Sequence, residues 1–377
     1  MIISPILPQI GDDLGIADAA LGTLVSVYSL MVGIFAILSG PVSDRIGRRR
    51  ILLIGCGTMT VALMLHMLVS DYASFIAVRV FAGMAGGILS GAAVSYIGDY
   101  FPYERRGWAT GWVMSGSALG QIAGIPIGIV LADQWGFKAP FYIFAVTMAA
   151  TILLLFFRVP QPPGKQSLEQ LTVGKAAADY AAMLRRPEVA WAAVAYFVMF
   201  LGVSIFTVYL PTWLERDLSI SGNELALMFA VGGIANVLTG PQAGKWSDRI
   251  GRKGIILLAC IGLSSLMLLT VPLVTNLITA CVFFFLTMML VAMRISPFSA
   301  LLTALVNDDR RGSLMSLAVA LGQMGFALGG AIAGPLFAGI GYSANTVLGA
   351  IFVLAMGLIV WFFIPEPPIR TTLAAAD

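Results

Sequence analysis

Two ten-residue stretches carry most of the polar chemistry in this chain. Gly40-Pro-Val-Ser-Asp44-Arg45-Ile-Gly47-Arg48-Arg49 recurs as Gly244-Lys-Trp-Ser-Asp248-Arg249-Ile-Gly251-Arg252-Lys253. Each joins one carboxylate to at least three cations and punctuates them with glycine. Such a set suits ion pairs and hydrogen bonds that form and break, because neither copy holds a nucleophile beside a base. Asp44 can accept the free N–H groups of a facing helix start, where the dipole favours negative charge. Arg45, Arg48 and Arg49 can bind acidic groups at helix ends, with Asp99 and Glu104 as candidates, and Gly40 permits close helix approach.

Only two other charges fall well inside apolar segments, Arg79 and Arg294. Charge in such a setting is costly and marks function by default. Arg294 suits either an anionic substrate or snorkelling to an interface. Every Asp and Glu lies in a polar stretch or near the end of an apolar run; Asp18, Asp99 and Glu224 come closest to the interiors. The single histidine, His66, titrates near neutrality when unperturbed, but its apolar neighbours favour packing. Phosphate-cradling loops, metal-ligand spacings and nucleophile–base pairs are missing from the sequence. These features argue against an enzyme and against a bound cofactor or metal.

The elements that position these residues follow from composition. Hydrophobic residues make up 59% of the 377, charged residues only 11%, and mean hydropathy is +0.93. A soluble domain runs near a quarter charged. Apolar runs long enough to span a bilayer lie at 19–42, 51–69, 74–99, 107–132, 140–158, 188–213, 223–246, 254–273, 276–304, 312–339 and 345–364. Backbone in lipid must satisfy itself, so these eleven spans are expected to be helices. The repeated decapeptide sits at corresponding places in two halves, as in transporters built by duplication. The expected units are 1–158, a linker at 159–187, and 188–377.

Eleven is an odd number for a duplicated chain. The segment from Met1 to Ile16 begins apolar but is too short to cross, and its Leu7-Pro8, Leu14 and Ile16 match Leu210-Pro211, Leu218 and Ile220. It is therefore expected to be the outer end of a first helix that begins upstream. Basic residues cluster on alternate loops, with only Lys138 and Arg216 on the others. That places the decapeptides, the linker and the C-terminus in the cytoplasm. The net charge of +3 follows from this topology and implies no nucleic-acid partner. The expected setting is the inner membrane of a bacterium, with the lipid bilayer as partner and the chain as a monomer.

The doubled G-x-x-x-D-R-x-G-R-[RK] pattern resembles the signature of the major facilitator superfamily, and the resemblance covers essentially the whole chain. The E/D-R-R-G turns Glu104-Arg105-Arg106-Gly107 and Asp309-Arg310-Arg311-Gly312 agree with it, as does Arg79 followed by Gly83. Gly111, Gly116, Gly120, Gly124, Pro126 and Gly128 look like the glycine motif of the family's drug:proton antiporters, with Ile125 interrupting the usual Gly-Pro. Ordinary small-residue helix packing is the alternative explanation of these glycines.

The resemblance implies an all-α fold of two six-helix bundles, the first helix truncated here. It also implies gating by Asp44 against a helix starting near Gly312, and proton coupling through Arg79. A solute cavity is expected between the halves, with Tyr28, Gln121, Tyr196, Asn236 and Gln323 as polar lining. The expected activity is proton-coupled export of a small organic solute by alternating access. An importer or exchanger of a small anion, sugar or metal complex is the alternative, and a transport-inactive scaffold or receptor stands as the reading of another class.

Overall fold

The computed structural model describes residues 3–101, 105, 109, 112, 113, 116–161, 173–306 and 311–366. The side chains of Asp44, Arg45 and Asp99 fall outside this description, as do Gly111 and the whole of Glu104. Among the described residues the chain is helical, with eleven helices long and apolar enough to cross a membrane.

A 3-10 turn at Ser4–Ile6 leads into α1 (Leu7–Leu14), followed by α2 (Asp18–Ile46), α3 (Arg48–Leu65) and α4 (Tyr72–Tyr100). Next come α5 (Gly116–Trp135) and α6 (Ala139–Arg158), with α7 (Val173–Leu184) inside the expected linker. The second half holds α8 (Pro187–Thr207), α9 (Leu210–Leu218), α10 (Gly222–Ile250), α11 (Arg252–Leu273), α12 (Leu277–Ala304), α13 (Arg311–Ile340) and α14 (Tyr342–Phe363).

The halves repeat in backbone detail. α1 ends on Gly15 (φ 64°, ψ 33°) and α9 on Ser219 (φ 56°, ψ 27°), both left-handed. A serine there is strained where glycine is not. α4 and α12 open with matching capping boxes: Asp71 takes the Ser74 N–H, and Asn276 takes the Thr279 N–H. Each cap satisfies a donor the helix start leaves free, and the Ser74 N–H holds the Asp71 carboxyl below its ordinary range.

One expectation needs correction. The decapeptides are not polar loops, since α2 runs through Asp44 and Arg45 to Ile46 and α10 through Asp248 and Arg249 to Ile250. The chain breaks at one residue in each copy, Gly47 (φ 98°, ψ 139°) and Gly251 (φ 102°, ψ 140°). Side-chain-bearing residues rarely adopt that φ. Asp, Arg and Ser tolerate helix, so only the glycine stops it.

Packing groups α2, α3, α4 and α6 in one half and α8, α10, α11, α12 and α14 in the other. Among the described residues the long helices of the two halves meet along two seams, α2 on α13 and α5 on α10. At the first, a Cβ on Gly22 would lie 2.2 Å from the Gly330 carbonyl oxygen. Only backbone-to-backbone approach fits there.

Candidate functional site

Six long helices separate Gly47 from Gly251 in the chain, so both breaks lie at the same end of the molecule. At that end each half ties its last helix to its signature. After α6 comes Pro160-Gln161-Pro-Pro, and after α14 comes Pro365-Glu366-Pro-Pro. The Arg49 N–H donates to Gln161 Oε1 at 3.2 Å. In the other half the Arg252 N–H donates to Glu366 Oε1, and the Lys253 N–H reaches the same oxygen at 3.3 Å.

The breaking glycines cannot cap the new helix with a side chain, so a residue from the far end of the half supplies the acceptor. The cations repeat as well. Arg49 lies over the Phe156 ring at 5.4 Å and Lys253 over the Trp361 ring at 5.8 Å. Arg252 also pairs with Asp248 at 3.3 Å and donates to the Ala300 carbonyl at 3.0 Å.

These caps set an expected result. Glu366→Ala should destabilise the fold by about 1 kcal/mol, the typical worth of an N-cap. Glu366→Gln should restore most of it, since Gln161 performs the same task in the other half. Thermal unfolding of the purified chain checks both. Equal losses in the two variants would show that carboxylate charge, and not hydrogen-bond acceptance, is what matters.

At the opposite end the halves are joined directly. Tyr209 is fully buried. Its hydroxyl accepts from the Gly22 N–H at 2.7 Å and donates to the Asp18 carbonyl at 2.5 Å. In a regular helix those two groups would bond each other, so the hydroxyl bridges the first turn of α2. Arg216 pairs with Asp18 at 2.9 Å and Asp12 at 3.3 Å. The Ser4 hydroxyl donates to the Val208 carbonyl at 2.9 Å.

Tyr209 and Asp12 did not stand out in the sequence, and neither did the paired proline segments. One usable signal was Arg216 as a lone cation among acids. The doubled Pro-[Gln/Glu]-Pro-Pro was a second.

The intramembrane residues divide into three groups. Arg79 donates from Nε to the Leu24 carbonyl at 3.0 Å and lies 4.1 Å from the Tyr28 ring centroid. Gly83, one turn on, lets this contact form: a Cβ there would sit 2.6 Å from the Tyr28 carbonyl oxygen. Asn236 donates to Gln121 Oε1 at 3.1 Å, across the α5–α10 seam.

Gln121 lies in a π turn, Gly120–Gly124, closed by the Ile125 N–H on the Gly120 carbonyl. π turns are rare and frequent at functional sites, and Pro126, which offers no N–H, follows directly. Gly128 is buried behind it.

The remaining residues, the third group, are not gathered at one place. Tyr196 is buried against Phe200 and Phe298. Gln323 packs where α13 meets Gly33 of α2. Arg294 is buried inside the second half and does not snorkel. His66 is buried as well, stacked on Phe141 at 4.0 Å with Nδ1 at 2.8 Å from the Ala62 carbonyl, an arrangement that serves packing.

The fold and these joints define a multi-pass membrane protein made of two similar helical halves with a seam on either side. The Major Facilitator Superfamily profile matches residues 1–216 and again 192–377, and the chain belongs to that family. It is 27% identical over 375 residues to multidrug resistance protein MdtG of Klebsiella pneumoniae, covering 96% of this chain and 87% of the relative. It is 26% identical over 359 residues to the uncharacterized MFS-type transporter YceJ of Bacillus subtilis, covering 95% and 90%. The fold superposes on a crystal structure of a D-xylose–proton symporter with a TM-score of 0.76 at 19% identity, covering 97% and 94%. The chain is thus a transporter of this family, all-α in fold.

Proposed function

We propose that this transporter exports small amphipathic organic solutes in exchange for protons, by alternating access. The observation that carries the mechanism is the pair of seams related by exchange of the halves, α2 on α13 and α5 on α10. Two such seams let the bundles rock about a central site without breaking either bundle. Export is supported by the likeness to the multidrug resistance protein MdtG over nearly the whole chain.

In this reading residues 1–158 and 188–377 are the moving units, and 159–187 tethers them at the cytoplasmic face of a bacterial inner membrane. The chain acts as a monomer. The Tyr209–Asp18 and Arg216 joints close the outer end. The signature, with Asp44 facing the start of α13, closes the inner end in the alternate state. Gln121 and Asn236 line the solute path with Tyr28, and Arg79 assists coupling.

Everted membrane vesicles energised by respiration test the reading. They should accumulate an amphipathic dye, and a protonophore should abolish accumulation. Asp44→Asn should lower the rate at least about tenfold at unchanged protein level, the loss expected for a charged hydrogen bond at a helix start. Accumulation that survives the protonophore would remove proton coupling. Inward uptake of a small anion, sugar or metal complex in right-side-out vesicles would favour import, the second reading.

A further inference from the structure

The interior of the second half holds a cation that no carboxylate among the described residues balances. Arg294 on α12 is 1% exposed and is the largest fully buried side chain among the described residues. Its Nε and Nη1 have no hydrogen-bond partner, and none of the described ion pairs includes it. The guanidinium hydrogen-bonds to the Cys260 sulfur of α11, and that thiol in turn donates to Met356 Sδ at 3.4 Å. A neutral thiol does not compensate a guanidinium. An unpaired charge buried among apolar helices is among the costliest arrangements a protein can hold.

The other half shows that packing does not require it. The capping boxes at Asp71 and Asn276 fix the correspondence of α4 with α12. Counted from those caps, Leu89 stands where Arg294 stands. Cys56 likewise corresponds to Cys260, counted from Gly47 and Gly251. Leu89 fills its place closely, for a Cβ on Gly55 beside Cys56 would lie 2.9 Å from Leu89 Cδ2. The same architecture is therefore closed by leucine in one half and by a donor-rich cation in the other. One turn along α12 from Arg294, Phe298 stacks on Tyr196 at 5.8 Å. The Tyr196 ring in turn meets Gly322 of α13, the seam helix. The guanidinium is thus one helical turn from an aromatic contact that reaches toward the seam.

We propose that Arg294 is the recognition group of an anion site in the second half. Its unpartnered N–H groups would bind an anionic group, either a free small anion or the acidic end of an amphipathic solute. The inference deepens the export reading by giving the solute a charge, and rests on that reading only for the solute's transport.

The test is a binding measurement on the purified full chain, in a medium whose anion is gluconate. Thermal unfolding is followed with sodium benzoate, with neutral benzamide and with chloride. Benzoate should raise the unfolding midpoint and benzamide should not. Arg294→Leu and Arg294→Met should unfold above the wild type without ligand, because an uncompensated buried charge is gone. Both should bind benzoate at least about thirty-fold more weakly.

Protection by benzoate alone assigns the site to an acidic solute, and equal protection by chloride assigns it to a free anion; either upholds the site. Should the two variants fail to fold, benzoate against benzamide on the wild type still decides. Equal shifts from benzoate and benzamide, or a benzoate shift that persists in Arg294→Leu, would overturn the proposal. A vesicle assay without export, beside an intact anion shift, would instead remove the export reading and leave the site standing.

Discussion

Gly83→Val is expected to unfold at a markedly lower temperature than the parent chain and to lose transport. A Cβ at this position would sit 2.6 Å from both the Tyr28 carbonyl oxygen and Met31 Cβ. A flexible side chain could move away, but a backbone carbonyl in a packed helix cannot. α4 would have to withdraw from α2, with overpacking of this kind costing about 1–3 kcal/mol. The withdrawal would also stretch the bond from Arg79 to the Leu24 carbonyl, now 3.0 Å. A guanidinium would then be left buried without its acceptor, which adds to the loss.

Gly57→Val on α3 is the control, because nothing lies within 4 Å of a Cβ there. Unfolding of both variants in detergent, with dye efflux in vesicles, provides the comparison. Equal midpoints for Gly83→Val and Gly57→Val would refute the close-contact account of Gly83 and Arg79.

Tyr209→Phe should act on the balance between states more than on the fold. The ring stays buried, and only the hydroxyl bridging the Gly22 N–H and the Asp18 carbonyl is lost. Two hydrogen bonds across the seam, one buried and one partly buried, are worth about 2 kcal/mol together. That amounts to about a thirty-fold shift in the ratio of seam-closed to seam-open molecules. Exposed Arg216 adds less, since pairs in contact with solvent contribute little.

A cysteine at Ser26 reports the seam, because the serine hydroxyl lies 2.7 Å from the place a Gly330 Cβ would occupy. In a background without Cys56, Cys260 and Cys281, Tyr209→Phe should speed labelling of that cysteine by an impermeant maleimide. Tyr142→Phe, on an exposed ring, should leave the rate unchanged. If Tyr209→Phe also leaves it unchanged, the hydroxyl does not hold the seam.

Much of this was readable in one dimension, for reasons particular to certain residues. The eleven spans follow from apolar length alone, because a bilayer imposes a minimum run. The duplicated decapeptide fixed the correspondence of the halves, and Leu7-Pro8 beside Leu210-Pro211 extended it. Two features resisted. Asp44 and Asp248 read as loop residues because polarity suggests a loop, yet polar side chains continue a helix until a positive φ is needed at Gly47 and Gly251. Arg294 read as either a contact for an anionic substrate or a side chain snorkelling to an interface, and its burial within one half removes the second.

The sequence by itself determined the class of protein, the number of spans and the places where each half repeats the other, because periodic apolarity and duplication are properties of residue order. Tertiary structure alone decided which groups meet across long stretches of chain: Tyr209 in the first turn of α2, Glu366 at the start of α11, and Asn236 on Gln121. Those contacts depend on how rigid helices approach one another to within hydrogen-bonding distance. No local pattern of residues encodes that approach.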